Sequence, residues 1–187
     1  MRTPTGNMDP YVYPETNVLR NLRDIRDPDR LSKFEMDMTT RRVAELQQEP
    51  IVGRFDSQHI KTIHRHIFQD VYAWAGEFRT VDISRSGQFP FAFSQPPEFC
   101  NRAAHYMGEL NAIHPFRDGN GRMQREFIRQ LAERNGYAID WTRISRDQMT
   151  EASKLSFQRG DNSGLEKVLS QTLSHDRSRD DDRGDDR

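Results

Sequence analysis

One cysteine, Cys100, is the only thiol in 187 residues. A single thiol forms no disulfide within the chain and fits a reducing compartment. It sits on an apolar helical pattern with no base argued beside it, so it reads as packing rather than as a nucleophile. Apolar runs are short as well. None reaches the ~18–20 residues that carry a helix across a bilayer, and the polar start Met1-Arg2-Thr3-Pro4 has no signal-peptide core. Charge of one sign is missing too: 28 Lys and Arg stand against 29 Asp and Glu, a formal net charge of −1. Residues 174–187 hold six Asp and four Arg, a net −2, which leaves the rest at +1. Neither value advertises nucleic acid or an anionic membrane surface. No internal repeat is present.

What remains is a polar-leaning composition, 34% hydrophobic and 30% charged, suited to one mainly α domain over residues 1–173, with a disordered Asp/Arg tail at 174–187. An extended arm is expected over 1–16, with turns at Asp9-Pro10 and Tyr13-Pro14, then a short helix near 17–25. Asp29 is expected to cap a longer helix whose apolar side carries Leu31, Phe34, Met38 and Leu46. Ser57 caps the next, with Ile60, Ile63, Ile67, Val71 and Trp74 as a clear stripe. His64 lies on that stripe, and His59 and His66 point elsewhere. Their spacing fails as a metal set, so they read as packing or surface histidines.

Beyond Gly76 the period changes. Residues 78–83 alternate, 84–88 are turn-like, and Phe89-Pro90-Phe91-Ala92-Phe93 follows, which predicts a β-hairpin over 78–93. Pro96-Pro97 then opens a helix through Phe99, Ala103, Tyr106, Met107, Leu110 and Ile113. Another helix follows Gly121, marked by Met123, Phe127, Ile128 and Leu131 and stopped by Asn135-Gly136. Two more are expected near 145–158 and 163–173.

Between the third and fourth of these long helices lies His114-Pro115-Phe116-Arg117-Asp118-Gly119-Asn120-Gly121-Arg122, closed by Arg125. Pro115 bars continuation of the helix, because proline disfavours helical geometry in the residue before it. His114 is thereby held at a helix–loop junction as a proton acceptor active near neutrality. Phe116 turns inward and pins the loop. Asp118 is a hard oxygen ligand of the type magnesium takes alongside waters and phosphates. Gly119-Asn120-Gly121 allows successive amides to converge on an anion at a helix N-terminus. Arg122 and Arg125, three apart, flank the same end as planar cations. With each residue type near ~5% of an average composition, seven fixed positions coincide by chance roughly once in 10⁸–10⁹ windows.

Residues 114–125 resemble the Fic signature His-x-Phe-x-(Asp/Glu)-Gly-Asn-Gly-Arg-x-x-Arg, complete here. Tyr72-Ala73-Trp74-Ala75-Gly76, Arg79 and Val81-Asp82-Ile83 resemble the segment leading into that family's flap, and the likeness covers roughly residues 8–173. The resemblance implies a bundle of about six to eight helices with a small β-hairpin flap. It implies transfer of AMP from ATP to a Ser, Thr or Tyr hydroxyl of a target protein. His114 would deprotonate the hydroxyl and Asp118 would hold Mg²⁺. Gly119, Asn120 and Gly121 would bind the α- and β-phosphates, Arg122 the β-phosphate and Arg125 the γ-phosphate. Ser84, Arg85, Ser86, Gly87, Gln88 and Phe89 of the flap would dock the target by strand pairing. Only about twenty residues separate Phe93 from His114, fewer than in many relatives.

Many Fic proteins are restrained by a helix bearing (Ser/Thr)-x-x-x-Glu-(Gly/Asn), whose glutamate pairs with the second motif arginine. Ser94-Gln95-Pro96-Pro97-Glu98 comes nearest but is broken by two prolines. The expectation is therefore a small separate antitoxin supplying that glutamate to Arg125. By analogy with toxin-type Fic proteins, the targets would be type II topoisomerase subunits (DNA gyrase B and topoisomerase IV). The expected location is the bacterial cytoplasm, with translocation into another cell as the alternative. Two other readings stand beside this one. A kinase or phosphocholine transferase can use the same scaffold, though Doc-like kinases depart from Gly-Asn-Gly. A non-catalytic binding module, helical and DNA-binding, would leave His114 and Asp118 unexplained.

Overall fold

The computed structural model describes residues 9–79 and 95–175. Six α-helices lie among them: α1 (Pro28–Gln48), α2 (Ser57–Phe68), α3 (Pro96–Ile113), α4 (Asn120–Arg134), α5 (Arg146–Arg159) and α6 (Ser163–Thr172). A 3₁₀ turn at Trp141–Arg143 precedes α5. Two short strands, β1 (Tyr137–Ile139) and β2 (Leu173–His175), pair antiparallel with Ala138 opposite Ser174. The chain is mainly α, as its periodicity predicts. The expected hairpin over 78–93, including Ser84 to Phe89, lies outside the described residues apart from Phe78 and Arg79. So does all of the expected tail beyond His175.

Local chemistry sets the helix starts. Asp27, not Asp29, caps α1: its carboxylate accepts the Arg30 N–H while Pro28 occupies the first helical position, where no N–H is needed. Asp56 rather than Ser57 caps α2 through the His59 N–H. No helix forms over 17–25. Val12 and Leu19 make an isolated bridge instead. The Asn21 side chain takes over the nearby backbone, accepting from Arg23 N and Ile25 N and donating to the Leu19 and Ile25 carbonyls. Such local bonds compete directly with helical ones.

The α2 stripe also stops early, at Phe68. Val71 and Trp74 continue it only as turn residues. Even so, Ile60, Ile63, Ile67, Phe68 and Val71 are all buried, together with Phe99, Phe116, Phe127, Ile128 and Leu131. This is one core. Helices α2 and α3 both pack against α4, while α3, α5 and α6 form the opposite side. Helix α1 is fastened across α2 and α4 by polar ties. Arg42 grips Asp70 through two bonds, at 2.6 and 3.0 Å. Arg129 of α4 donates to the Leu46 carbonyl at 2.8 Å.

Candidate active site

Helix α3 delivers its last turn to His114, which ends the helix in the left-handed region (φ 46°, ψ 62°), its N–H bonded to the Leu110 carbonyl at 3.0 Å. This is an uncommon conformation for a residue with a side chain, and it turns the chain sharply into the loop. Pro115 and Phe116 follow as buried residues, and Phe116 is wholly inaccessible. The Asn120 side chain clasps Phe116 at both ends, accepting its N–H at 3.0 Å and donating to its carbonyl at 2.9 Å. The amide group is therefore committed to shaping the loop.

Gly119 carries φ 79° and starts α4. A Cβ at this position would fall inside the Phe68 ring, so glycine is demanded twice, by conformation and by space. The Asp118 carboxylate accepts the Gly119 N–H through Oδ1 at 2.6 Å.

Beneath the loop sits His64, fully buried. Gly76 donates its N–H to Nδ1 at 2.9 Å, so the ring proton lies on Nε2 and points to the Asp118 carbonyl, also at 2.9 Å. The ring stacks on Phe116 (3.8 Å between centroids, 13° between planes) and on Phe68. Burial pushes its pKa down to about 4, against the opposing pull of Asp118. His64 is thus neutral, and it is a brace rather than a reactant. His59 is likewise buried, edge-on to Phe55 and Phe127.

The two motif arginines differ sharply. Arg122 is held: Nη2 bonds to Glu35 at 2.5 Å, Nη1 reaches Thr39 at 3.2 Å, and the guanidinium lies over the Phe68 ring. The Tyr72 hydroxyl donates to the other Glu35 oxygen. Burial, and then the Glu35 bond, raise the Tyr72 pKa. Arg125 makes no ion pair or hydrogen bond among the described residues, and its Nη1 lies just above Gly121. Its pKa is lowered, chiefly by desolvation and then by Arg122 and Arg146. A half-buried cation without a carboxylate is an anion site in waiting.

Two cavities, of about 660 and 700 Å³, meet at this turn and share His114, Asn120, Gly121, Arg125, Met149 and Thr150. One runs between α3 and α5, past Gln124, Ser153, Lys154 and Phe157. The other opens between α1 and the start of α5, past Glu35, Met36, Asp118, Arg122, Trp141 and Arg146. His114 is exposed at their junction. Its pKa is lowered, by desolvation first and by Arg79 second, with Asp118 opposing. The structure therefore gathers His114, Asp118, Gly119, Asn120, Gly121, Arg122 and Arg125 around one cleft.

The same fold occurs in known proteins. Residues 54–132 match the Fic/DOC family. The probable protein adenylyltransferase Fic of Escherichia coli is 35% identical over 188 residues, covering 88% of this chain and 92% of that protein. This chain belongs to the Fic/DOC family. Protein adenylyltransferase VbhT of Bartonella schoenbuchensis is 45% identical over 179 residues, 84% of this chain, which spans only 37% of VbhT. Among solved structures, the N-terminal Fic domain of a VirB-translocated Bep effector from Bartonella quintana superposes with a TM-score of 0.81 at 25% identity, over 92% of this chain and 96% of that one. BepC of Bartonella tribocorum, solved with bound AMPPNP, has the same fold (TM-score 0.79, 22% identity, 88% and 96% covered).

Sequence reasoning missed the Fic loop's supports. Glu35 and Thr39 lie far from the motif in sequence and carry no local signal, and Tyr72 stands out only as part of the segment that resembles the approach to the family's flap. His64 could have been found: a histidine on an otherwise aliphatic stripe, twelve residues before a glycine, is a polar group that burial obliges to find partners.

Proposed function

We propose that this chain transfers AMP from magnesium-bound ATP to a side-chain hydroxyl of another protein. One observation carries the reading: His114 stands where two cavities meet, beside a glycine turn at a helix N-terminus and an Arg125 that has no ion-pair partner among the described residues. A nucleotide fits this layout, with its base and ribose in the α3–α5 cavity and its phosphates on the turn. The amides of Asn120 and Gly121 face the α- and β-phosphates, the Gly119 N–H being taken by Asp118 Oδ1, and Arg125 takes the γ-phosphate. Arg122, already bonded to Glu35, adds its charge near the β-phosphate. His114, neutral at physiological pH, takes the hydroxyl proton as the target oxygen bonds to the α-phosphorus, and the bond to the bridging oxygen breaks to release pyrophosphate.

Asp118 suits magnesium. Its Oδ1 is occupied by an amide, its Oδ2 has no partner among the described residues, and its backbone is fixed by His64. A single carboxylate is what magnesium uses when phosphates and waters complete its shell. When bound, the ion neutralises charge on the phosphate oxygens.

Transfer with α-labelled and γ-labelled ATP tests the reading. Label on protein from the α position supports it. Label from the γ position alone means a kinase and overturns it, and the same holds if neither label is transferred but a phosphocholine donor is used.

The finer biology is also a proposal. The relatives named protein adenylyltransferases support the activity. An Arg125 without an ion-pair partner among the described residues, in a groove walled by α1 and the start of α5, supports control by a separate small antitoxin that brings a glutamate to it. Type II topoisomerase subunits, DNA gyrase B first, are the targets to test, on family resemblance. The bacterial cytoplasm is the place where that pairing would operate. No described helix is long and apolar enough to cross a membrane.

A further inference from the structure

Arg79 grips the backbone on both sides of His114. Its own N–H donates to the Pro115 carbonyl at 2.9 Å, and its Nη2 donates to the Ile113 carbonyl at 3.1 Å. Those two carbonyls flank the histidine directly. In a continued α3 their donors would be the Arg117 and Gly119 N–H groups, which are lost because the chain leaves the helix at His114 and the Gly119 N–H turns to Asp118. His114 occupies the left-handed region, which is unfavourable for a non-glycine residue and persists only where surroundings enforce it. A guanidinium at a helix C-terminus also complements the helix dipole. Arg79 combines the two effects at one residue.

We infer that Arg79 is a positioning residue for His114, fixing the two peptide units that aim the imidazole into the cleft. This rests on the proposed role of His114 as the base. Among the described residues Arg79 makes no hydrogen bond to Asp118, Gly119, Asn120 or Gly121, and it lines the α3–α5 cavity beside His114, so nucleotide affinity must be measured alongside the histidine. Its charge acts in the same sense. Arg79 lowers the His114 pKa, opposed by Asp118 from the loop and by the Asn111 backbone on α3. Arg125 of α4 and Lys154 of α5 are the other charges lining the same cavity.

The test uses the full chain with ¹³C,¹⁵N-labelled histidine, the His114 signals being assigned by their loss in His114→Gln. In Arg79→Ala, the His114 Cα and Cβ shifts should leave their left-handed values and its ring should titrate at higher pH, while the other histidines stay in place. Arg79→Lys, which keeps the charge and one donor, should restore most of both. Calorimetry with Mg-AMPPNP should give an affinity within about twofold of the parent for both variants. With DNA gyrase B as acceptor and α-labelled ATP, kcat for Arg79→Ala should fall about tenfold or more at unchanged KM for ATP. Unaltered His114 shifts and titration in Arg79→Ala would overturn the inference. So would a large loss of AMPPNP affinity with His114 unmoved, which would make Arg79 a nucleotide ligand instead. If the parent labels no protein, the proposed activity fails while the histidine spectra still decide the role of Arg79.

Discussion

His64 Nε2 meets the carbonyl oxygen of Asp118 at 2.9 Å, across 54 residues of sequence. The bond ties helix α2 to the carboxylate-bearing residue of the loop. Because Gly76 donates to Nδ1, the two bonds exist together only with the neutral ring protonated on Nε2.

That tautomer makes acid stability diagnostic. His64 titrates near 4 when folded and near 6.5 when unfolded, so the unfolded chain binds the extra proton over that range. Stability should be complete above pH 6.5 and fall by about 3 kcal/mol toward pH 4. His59, also lowered by burial, adds loss of the same sign. Urea midpoints of the nucleotide-free protein between pH 7.5 and 4 measure it. In His64→Gln most of this slope should vanish, and an unchanged slope would reassign it to other groups.

Gly119→Ala should be severe. The added methyl meets the Phe68 ring at a backbone φ of 79°, a combined cost of about 2–4 kcal/mol. Trimming the ring in Gly119→Ala/Phe68→Leu should recover the steric part and leave the conformational part. Chemical denaturation of the two variants separates them. Equal instability would locate the cost in the backbone alone.

Tyr72→Phe removes one hydroxyl from a buried ring and leaves Glu35 with Arg122 as its strong partner. A hydrogen bond to a charged group is worth about 1.5–3 kcal/mol, and that loss should appear as a lower unfolding midpoint. A double-mutant cycle with Glu35→Gln should show strong coupling. Additive effects would mean that the hydroxyl does not act through the carboxylate.

Asn120→Asp is a nearly isosteric change with a large expected effect. It replaces the donor that meets the Phe116 carbonyl with an acceptor, leaving two oxygens facing each other in a buried turn. The cost should be about 2 kcal/mol or more, with weakened Mg-AMPPNP binding in calorimetry. Retained affinity and stability would show that the clasp is dispensable.

Arg125→Met should make the protein more resistant to denaturant while weakening its preference for ATP over AMP. The guanidinium is desolvated and repelled by Arg122 and Arg146, so an apolar side chain of similar length relieves the fold. Functional sites commonly trade stability in this way. Paired urea melts and nucleotide titrations test both halves, and a loss of stability would contradict the reading of Arg125 as unpartnered.

The sequence made some of this legible and not the rest, for physical reasons. Helices α3 and α4 were readable because Pro96 and Gly119 mark their starts and apolar residues recur between. The inward turn of Phe116 is legible because it is the one large apolar side chain of the loop between His114 and Gly121. The caps shifted by one or two residues, to Asp27 and Asp56, because adjacent acids and serines compete for the same amides. The region 17–25 was misread as helix because Asn21 satisfies the backbone locally, an effect invisible to periodicity. The β1–β2 ladder escaped notice since three-residue strands carry no pattern. Glu35, Tyr72, His64 and Arg79 act through contacts that only the folded chain creates. The flap positions 84–89 lie outside the described residues.

The braces beneath the loop come from α1, α2 and the turn ending at Arg79, none of them within residues 114–125. A transplant of those twelve residues onto a foreign helical hairpin would therefore carry the reactive groups without their foundations. The histidine would relax out of its bend, the aspartate backbone would drift, and the first guanidinium would swing free. Redesign of this site should borrow the supporting struts before the signature.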